Sequence, residues 1–366
     1  MKKILITGGP VHAYLDAVKL ITNRFKGGLM FDLGNMFLDK YWPDVEVTFL
    51  GSKLIEYAIG RTGFNFIKHD GFDDYRKQVL ELAPKHDAVI LGAAVANLIP
   101  LTPFKGKFPS HNYKIGDVIP INFTIAPRII NMVKHVAPKT QLFGFKLLSD
   151  VPEEELIRAA YEVLLDSHAT AVFANDAKDL IKKFIVTKER GVHLTKHDEI
   201  AQFVWESLHD RYYHTTLYRW DTLDIKDELA EFAKLKDMFR DDFPPTPEGY
   251  VFGTIAVRSK DGFLTTGRGK KELDDVVYVR GVDHVNRNVH TVDHKATLNA
   301  PLLDWIFKRL RQVKHIVHLH KQISTFPTLP YAPPGTVRDT DREITTSFNI
   351  KNHGCFMLYD ERGMRV

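Results

Sequence analysis

Apolar positions in the first two hundred residues follow two alternating rhythms. Short apolar or β-branched runs bounded by glycine or polar residues occur at Ile4 to Thr7, Val45 to Leu50, Ala88 to Pro100 and Leu142 to Leu147. These predict buried strands, with Val118 to Phe123 a further strand-like run. Between them, apolar residues return at helical spacing. Asp73 to Leu82 places Tyr75, Val79 and Leu82 on one side, and Glu153 to Asp166 turns Leu156, Ala159, Ala160, Val163 and Leu164 inward. A helical reading also runs through Leu15, Val18, Lys19 and Ile21, and Ile200, Phe203, Val204 and Leu208 give a closing helix its apolar face. Strands alternating with helices predict an α/β fold with a doubly wound, mostly parallel sheet, whose ligands sit outside the carboxyl ends of the strands.

The pattern restarts at Tyr218. Asp224 to Arg240 reads as an amphipathic helix, Pro244, Pro245 and Pro247 stiffen a connector, and Tyr250 to Val257 reads as a strand. Two domains are expected, 1–216 and 217–366, joined near His214 to Asp224. In the second, His318-Leu319-His320 lies on a strand-like run from Ile316. Side chains at i and i+2 of a strand share a face, so both imidazoles can converge on one ion.

Composition narrows the function classes. The 366 residues are 44% hydrophobic and 26% charged, enough for a sizeable core. A formal charge of +4, with no run of five or six basic residues, is too mild to argue for nucleic acid and is compatible with anionic small-molecule partners; no nucleic-acid partner is expected. The single Cys355 excludes an intrachain disulfide framework and suits a reducing compartment. No apolar run reaches the eighteen or so residues of a membrane helix, and the apolar stretch after Lys2-Lys3 is too short for a signal peptide. The expected location is cytoplasmic, without a membrane partner.

The N-terminal part resembles phosphopantothenate–cysteine ligases. The resemblance is carried by Thr7, Gly9, Pro10, Leu15, Asp16, Val18, Lys19, Ile21 and Asn23 in order, and by Ala93-Ala94-Val95-Ala96-Asn97, where the family has Asp at the last position. It continues through Tyr113-Lys114-Ile115-Gly116, Phe145-Lys146-Leu147, Ala174-Asn175-Asp176 and Lys183 to Thr187. The family's two serines after Asn23 are replaced by Arg24-Phe25-Lys26, and Leu148-Ser149 stand in place of Glu-Thr. The resemblance, covering about Met1 to Tyr213, implies a Rossmann-like sheet and a ligase using CTP or ATP with Mg²⁺. Such an enzyme activates a carboxylate such as 4′-phosphopantothenate as an acyl-nucleotide and couples it to an amine such as cysteine. Lys114 and Asn23 would be catalytic, with Gly8, Gly9, Ala93, Ala94, Asn97, Phe145, Asn175 and Asp176 around nucleotide and substrate. The glycines after the first strand would let phosphates approach backbone N–H groups.

The C-terminal part, about Tyr250 to Arg365, resembles class II aldolases. Gly253 to Arg258 and Phe263 to Gly269 are similar to that family's phosphate-cradling loops, with Gly267, Arg268 and Gly269 as anion-binding positions, and Asn352-His353-Gly354 follows as a third-ligand motif. The resemblance implies a second α/β domain in which His318, His320 and His353 hold Zn²⁺ or a similar divalent ion. The family's acid/base Glu falls on Asn299, so Tyr331, His290 and His294 become candidate substitutes. Both resemblances imply homo-oligomers. Two other readings compete with the ligase: a zinc-dependent lyase or epimerase working through the second domain, and a metabolite-binding regulator with degenerate sites.

Overall fold

The structure, a computed structural model, describes residues 1–58, 60–187, 192–219, 224–246 and 249–366. It divides into two compact units, Met1–Leu208 and His209–Val366. The division falls at Leu208 rather than at residue 216, because the strand His214–Tyr218 is paired with Asn288–Val292 and so belongs to the second unit's sheet. Residues 220–223 of the expected boundary and Pro247 of the expected connector lie outside the described residues.

The first unit is built on an eight-stranded sheet of β1 (Lys2–Gly8), β2 (Val45–Ser52), β3 (Phe64–His69), β4 (Ala88–Leu91), β5 (Gln141–Leu148), β6 (Ala171–Asp176), β7 (Asp179–Thr187) and β8 (Val192–Lys196). Their spatial order is β8-β7-β6-β5-β4-β1-β2-β3. The first six strands in sequence are parallel, and β7 and β8 extend one edge antiparallel. Ile4 and Ile6 pack on one face with Phe37 of α1 (Gly28–Tyr41) and Val204 of α5 (Ile200–His209). Leu5 packs on the other with Val79 of α2 (Gly71–Leu82), Val133 of α3 (Ile130–Val136) and Leu164 of α4 (Glu153–Ser167). Burial on both faces is why these strands read as continuous apolar runs, and each such side chain contributes about 1.5–3 kcal/mol. From β1 the chain winds to β2 and β3, then crosses back to β4 on β1's other side. The crevice between the carboxyl ends of β1 and β4 is therefore the switch point.

Three local expectations are corrected. Leu15 to Ile21 is not helical: Ala13–Tyr14 pairs antiparallel with Leu20–Ile21. The buried Asp16 carboxylate between them accepts the amides of Val18 and Lys19 at 2.7 and 2.6 Å and that of Phe108 at 2.9 Å, a local alternative to helical bonding. Ala88 to Pro100 is not one strand. β4 ends at Leu91, and Leu98–Pro100 leaves the sheet to pair with Phe123–Ile125 in a ribbon that exposes Leu98 and Ile125. Val118 to Phe123 accordingly becomes a strand only from Phe123.

The second unit holds a nine-stranded, mainly antiparallel sheet of β9 (His214–Tyr218), β10 (Thr254–Ser259), β11 (Gly262–Thr266), β12 (Val276–Asp283), β13 (Asn288–Val292), β14 (His315–Leu319), β15 (Thr328–Leu329), β16 (Phe348–Ile350) and β17 (Gly354–Tyr359). The order is β9-β13-β12-β11-β10-β14-β17-β16-β15, with parallel pairs at the two ends. Helix α6 (Lys226–Met238) packs Phe232 and Leu235 with Ile255, Val257 and Val317 of the sheet. Helix α7 (Ala300–Arg309) packs Leu303, Ile306 and Phe307 with Ala256 and Ile316.

Candidate functional site

In the second unit, β14 carries His318, His320 follows the strand's last residue, and His353 precedes β17. Pairing of His318 with Phe356 brings the turn containing His353 alongside, and one nitrogen from each of the three rings lies within 4.8 Å of the others. The ring centroids are 5.0 Å apart in all three pairs. His318 Nδ1 lies 3.0 Å from the Cys355 carbonyl, which can only accept, so this nitrogen carries the proton. That leaves the buried Nε2 lone pair without a hydrogen-bond partner among the described residues. A bare buried imidazole nitrogen, its opposite N–H fixed by a carbonyl, is the pattern of a metal ligand. Burial holds His318 far below the ordinary imidazole range. His320, which solvent reaches at the rim, is pushed down to about 4 by the protein packed around it and by the Lys270 ammonium. Both are neutral near pH 7, the form that ligates. Three nitrogen donors fit Zn²⁺ or a neighbouring transition metal and not Mg²⁺.

Thr254 faces His318 across the β10–β14 pair. Its Oγ1 lies 3.0 Å from Thr297 Oγ1 and 3.4 Å from Asn299 Nδ2, which sets Asn299 on the same face as His318. Asn299 Oδ1 is buried without a partner among the described residues. The Gly267-Arg268-Gly269 loop is tied to the same segment: Gly267 bridges Ala296, and Arg268 Nε donates to the Ala296 carbonyl at 3.2 Å. Of the three candidate proton-transfer groups only Tyr331 reaches the histidines, its ring 5.9 Å from that of His353. His294 is held by Asp275 at 2.6 Å. His290 is bound by Tyr218 at 3.0 Å, in the wall of a cavity of about 600 Å³ that Arg258, Asp304 and Lys308 also line. Lys270 was not foreseen. Its ammonium is buried and donates to the Gly253 carbonyl at 2.6 Å, yet in sequence Lys270-Lys271 reads as an ordinary surface pair.

At the switch point of the first unit, the turn after β1 lies along the turn after β4. Pro10–Val11 pairs parallel with Ala94–Val95, Ala94 N–H donates to the Gly9 carbonyl at 2.9 Å, and Asn23 Nδ2 donates to the Ala94 carbonyl at 3.1 Å. The Ala93 amide reaches Thr7 Oγ1 at 3.3 Å. Gly8, Gly9, Asn23, Ala93 and Ala94 are thus gathered, with Asn97 exposed at the edge. Phe145 pairs with Phe173, and Asn175 and Asp176 end β6, where Asp176 Oδ1 accepts the Lys178 amide at 2.7 Å. Lys114 stands on an exposed loop, its amide bonded to Asp117, and no described contact joins it to the others.

Packing also constrains these glycines. Gly8 and Gly9 are buried, a Cβ on Gly9 would stand 2.6 Å from the Tyr57 hydroxyl, and one on Gly27 would collide with the Gly9 amide nitrogen. Gly27 and Gly9 thereby let two backbone turns press together. Gly8, Gly9, Asn23, Ala93 and Ala94 offer no carboxylate, so Mg²⁺ would be held here through a nucleotide's phosphates. A further polar hub, without sequence signal, is Asp70 at the end of β3, which takes Tyr14 Oη at 2.6 Å, the His12 ring at 3.2 Å and the Lys53 ammonium.

A parallel, doubly wound sheet with two interlocked turns at its switch point defines the first unit as a Rossmann-like α/β domain. Residues 1–209 match the family described as the DNA/pantothenate metabolism flavoprotein C-terminal domain, and the chain belongs to that family. Among its relatives, the Coenzyme A biosynthesis bifunctional protein CoaBC of Thermococcus kodakarensis is 26% identical over 48% of this chain and 42% of the relative. The chain therefore spans under half of that relative's length. The solved DNA/pantothenate metabolism flavoprotein of Streptococcus pneumoniae is similar in fold, with a TM-score of 0.50 and 22% identity over 57% of this chain and 98% of that one. An L-fuculose-1-phosphate aldolase from Thermus thermophilus matches 36% of this chain and 77% of its own at 16% identity, with a TM-score of 0.26, too distant to carry function across.

Proposed function

We propose that the first unit is a nucleotide-dependent acid–amine ligase of Coenzyme A biosynthesis, joining 4′-phosphopantothenate to cysteine at the expense of CTP or ATP. The observation that carries this reading is the gathering of Asn23 with Ala93 and Ala94 at the switch point, and family membership over residues 1–209 supports it. In the first step the substrate carboxylate attacks the nucleotide's α-phosphorus; a C–O–P linkage forms and pyrophosphate leaves. In the second the cysteine amine attacks the activated carbonyl, the amide forms, the nucleoside monophosphate leaves and the amine's proton passes to solvent. Mg²⁺ neutralises the phosphates when bound. Lys114, on its exposed loop, is assigned to the charge developing on the α-phosphate. Asn23, anchored to the Ala94 carbonyl, is assigned to orienting the amine, and the Phe145 ring to the nucleobase. The apolar residues Leu98, Leu101, Ile115, Val118 and Ile125, exposed around the Leu98–Pro100 ribbon, support a homo-oligomer.

The test is pyrophosphate release from CTP or ATP in the presence of 4′-phosphopantothenate, with the amide product identified by mass spectrometry once cysteine is added. Lys114→Ala should lower kcat at least about 100-fold with the thermal transition unchanged. Carbon dioxide release from the cysteine conjugate without nucleotide turnover would place the chain at a decarboxylation step instead.

A second activity is favoured by the three histidines. A bound Zn²⁺ would polarise a ligand oxygen. His318, His320 and His353 would hold it, with the Cys355 carbonyl fixing the His318 tautomer. The Asn299 carboxamide neither gives up nor takes on a proton near neutral pH, so this reading is of a lyase or epimerase with weak retro-aldol cleavage and Tyr331 as the nearest proton carrier.

A further inference from the structure

Lys114 stands on the loop 101–122, which joins the two strands of the ribbon, Leu98–Pro100 and Phe123–Ile125. Among the described residues, every hydrogen bond from this loop to the rest of the first unit ends on Leu15, Asp16 or Ala17. Phe104 N–H donates to the Leu15 carbonyl at 3.0 Å, Ala17 N–H to the Gly106 carbonyl at 3.0 Å, and Phe108 N–H to Asp16 Oδ2 at 2.9 Å. Only the last is made by a side chain. Asp16 is 1% exposed, and a carboxylate so buried is tolerated only when donors surround it. Oδ1 takes the Val18 and Lys19 amides of its own turn, while Oδ2 takes the Lys19 ammonium at 3.1 Å together with the Phe108 amide. One oxygen shapes the hairpin and the other reaches 92 residues along the chain.

From Asp16 the contacts lead on to Lys114. The Phe108 ring, with the Lys19 ammonium 5.8 Å from its centre, stacks on Tyr113 at 5.3 Å and 19°. Tyr113 adjoins Lys114, whose turn is closed from both ends. The Lys114 amide donates to Asp117 Oδ2 at 2.7 Å, and its carbonyl accepts the Asp117 amide at 3.1 Å. In the other direction the hairpin is fixed at the switch point on both sides. Pro10–Val11 before it pairs with Ala94–Val95, and Asn23 after it donates to the Ala94 carbonyl.

We infer that Asp16 is a positioning residue for Lys114: its bond to the Phe108 amide, carried on through the Phe108–Tyr113 stack, sets where the Lys114 loop lies relative to Asn23 and Ala94. This rests on the reading of the first unit as a ligase with Lys114 at the α-phosphate. Misplacing such a group by about an ångström costs up to about 100-fold in rate.

Asp16→Asn separates the two jobs of the carboxylate. Its remaining oxygen can serve the Val18 and Lys19 amides, while an NH2 group in place of Oδ2 meets the Phe108 N–H and the Lys19 ammonium as donor against donor. Two readouts on the full chain test the inference: trypsin cleavage after Lys105 and Lys107, both exposed on the loop, and pyrophosphate release from CTP or ATP with 4′-phosphopantothenate. Cleavage should be at least about fivefold faster in Asp16→Asn. Its kcat should fall at least about tenfold while the nucleotide KM changes less than about twofold, because Lys114 answers charge that develops only in the transition state. In a Lys114→Ala background the same substitution should lower kcat by less than about twofold more. Phe108→Leu leaves the Asp16 turn intact but removes the stack on Tyr113, and should lower kcat about tenfold whether or not Asp16→Asn folds. Unchanged cleavage in Asp16→Asn overturns the anchoring of the loop, whatever the activity. An equal fall of kcat in the wild-type and Lys114→Ala backgrounds overturns action through Lys114, and wild-type kcat in Phe108→Leu overturns the path through Tyr113. A wild-type chain that releases no pyrophosphate overturns the ligase reading and the positioning role with it, and cleavage then reports on the anchoring alone.

Discussion

Single residues carry more of this fold's constraint than their types suggest. Gly27 has φ of 81° and stands where any Cβ would strike the backbone of Gly9. Left-handed strain and collision add, so Gly27→Ala should destabilise the first unit by roughly 2–4 kcal/mol, read as a lowered urea midpoint at unchanged slope. A change below about half a kcal/mol would mean that the two turns separate easily. His69 makes a different demand. Burial pushes its imidazole down to about 4, so the ring is neutral when folded and takes up a proton on unfolding below about pH 6.5. The unfolded chain then binds more protons, and stability falls as pH drops from 6.5 to about 4, levelling off beneath. The loss from this group reaches roughly 3 kcal/mol. Urea titrations at about pH 7 and about pH 4.5 should show His69→Gln with a smaller loss than wild type, and an equal loss would remove His69 from the account. Lys270 shows where sequence reading stops at this scale, because its burial follows from the Gly253 carbonyl beside it, a tertiary fact invisible in a Lys-Lys pair.

Elements were legible in proportion to how many of their faces are buried. β1 and β5, covered on both sides, read from short apolar runs and β2 from a β-branched alternation, and α2 and α4 read from one-sided spacing. Helix α1 was not foreseen. It opens without a side-chain cap behind left-handed Gly27, starts on Gly28 and carries Gly34 within it, so its start is poorly signalled, although Met30, Leu33, Phe37 and Leu38 recur at helical spacing and pack inward. The Leu15 to Ile21 segment fails in the opposite sense. Its spacing suits a helix, but Asp16 gathers amides from Val18, Lys19 and distant Phe108 and closes a hairpin. In the second unit strand period put His318 and His320 on one face, but it was the resemblance around the pair that made them ligand candidates, and the strand itself ends at Leu319. His353 needed the motif around it, because only the β14–β17 pairing brings it near.

At the scale of the molecule, two units with separate cores make the C-terminal part a unit that should fold alone. Residues 209–366 should give one cooperative thermal transition, whereas a fragment starting at 217 loses most of the strand His214–Tyr218 and leaves β13 as a bare edge. Calorimetry of the two fragments decides it: equal transition temperatures would mean that β9 contributes nothing to the sheet. The parallel pairing of this strand also orders events in time. As the chain is synthesised, His214–Tyr218 emerges while its partner, Asn288–Val292, is still to be made. At about 5–20 residues per second the strand waits several seconds, beside a first unit whose own sheet is already complete in sequence. For that interval Thr215, Leu217 and Tyr218 form a β-favouring segment with open hydrogen-bonding groups, available to the same segment on a neighbouring nascent chain. A slowed ribosome or crowded polysome should therefore favour aggregates that begin at this strand, and a charged residue in place of Leu217, half-exposed in the finished fold, is the change that would suppress them.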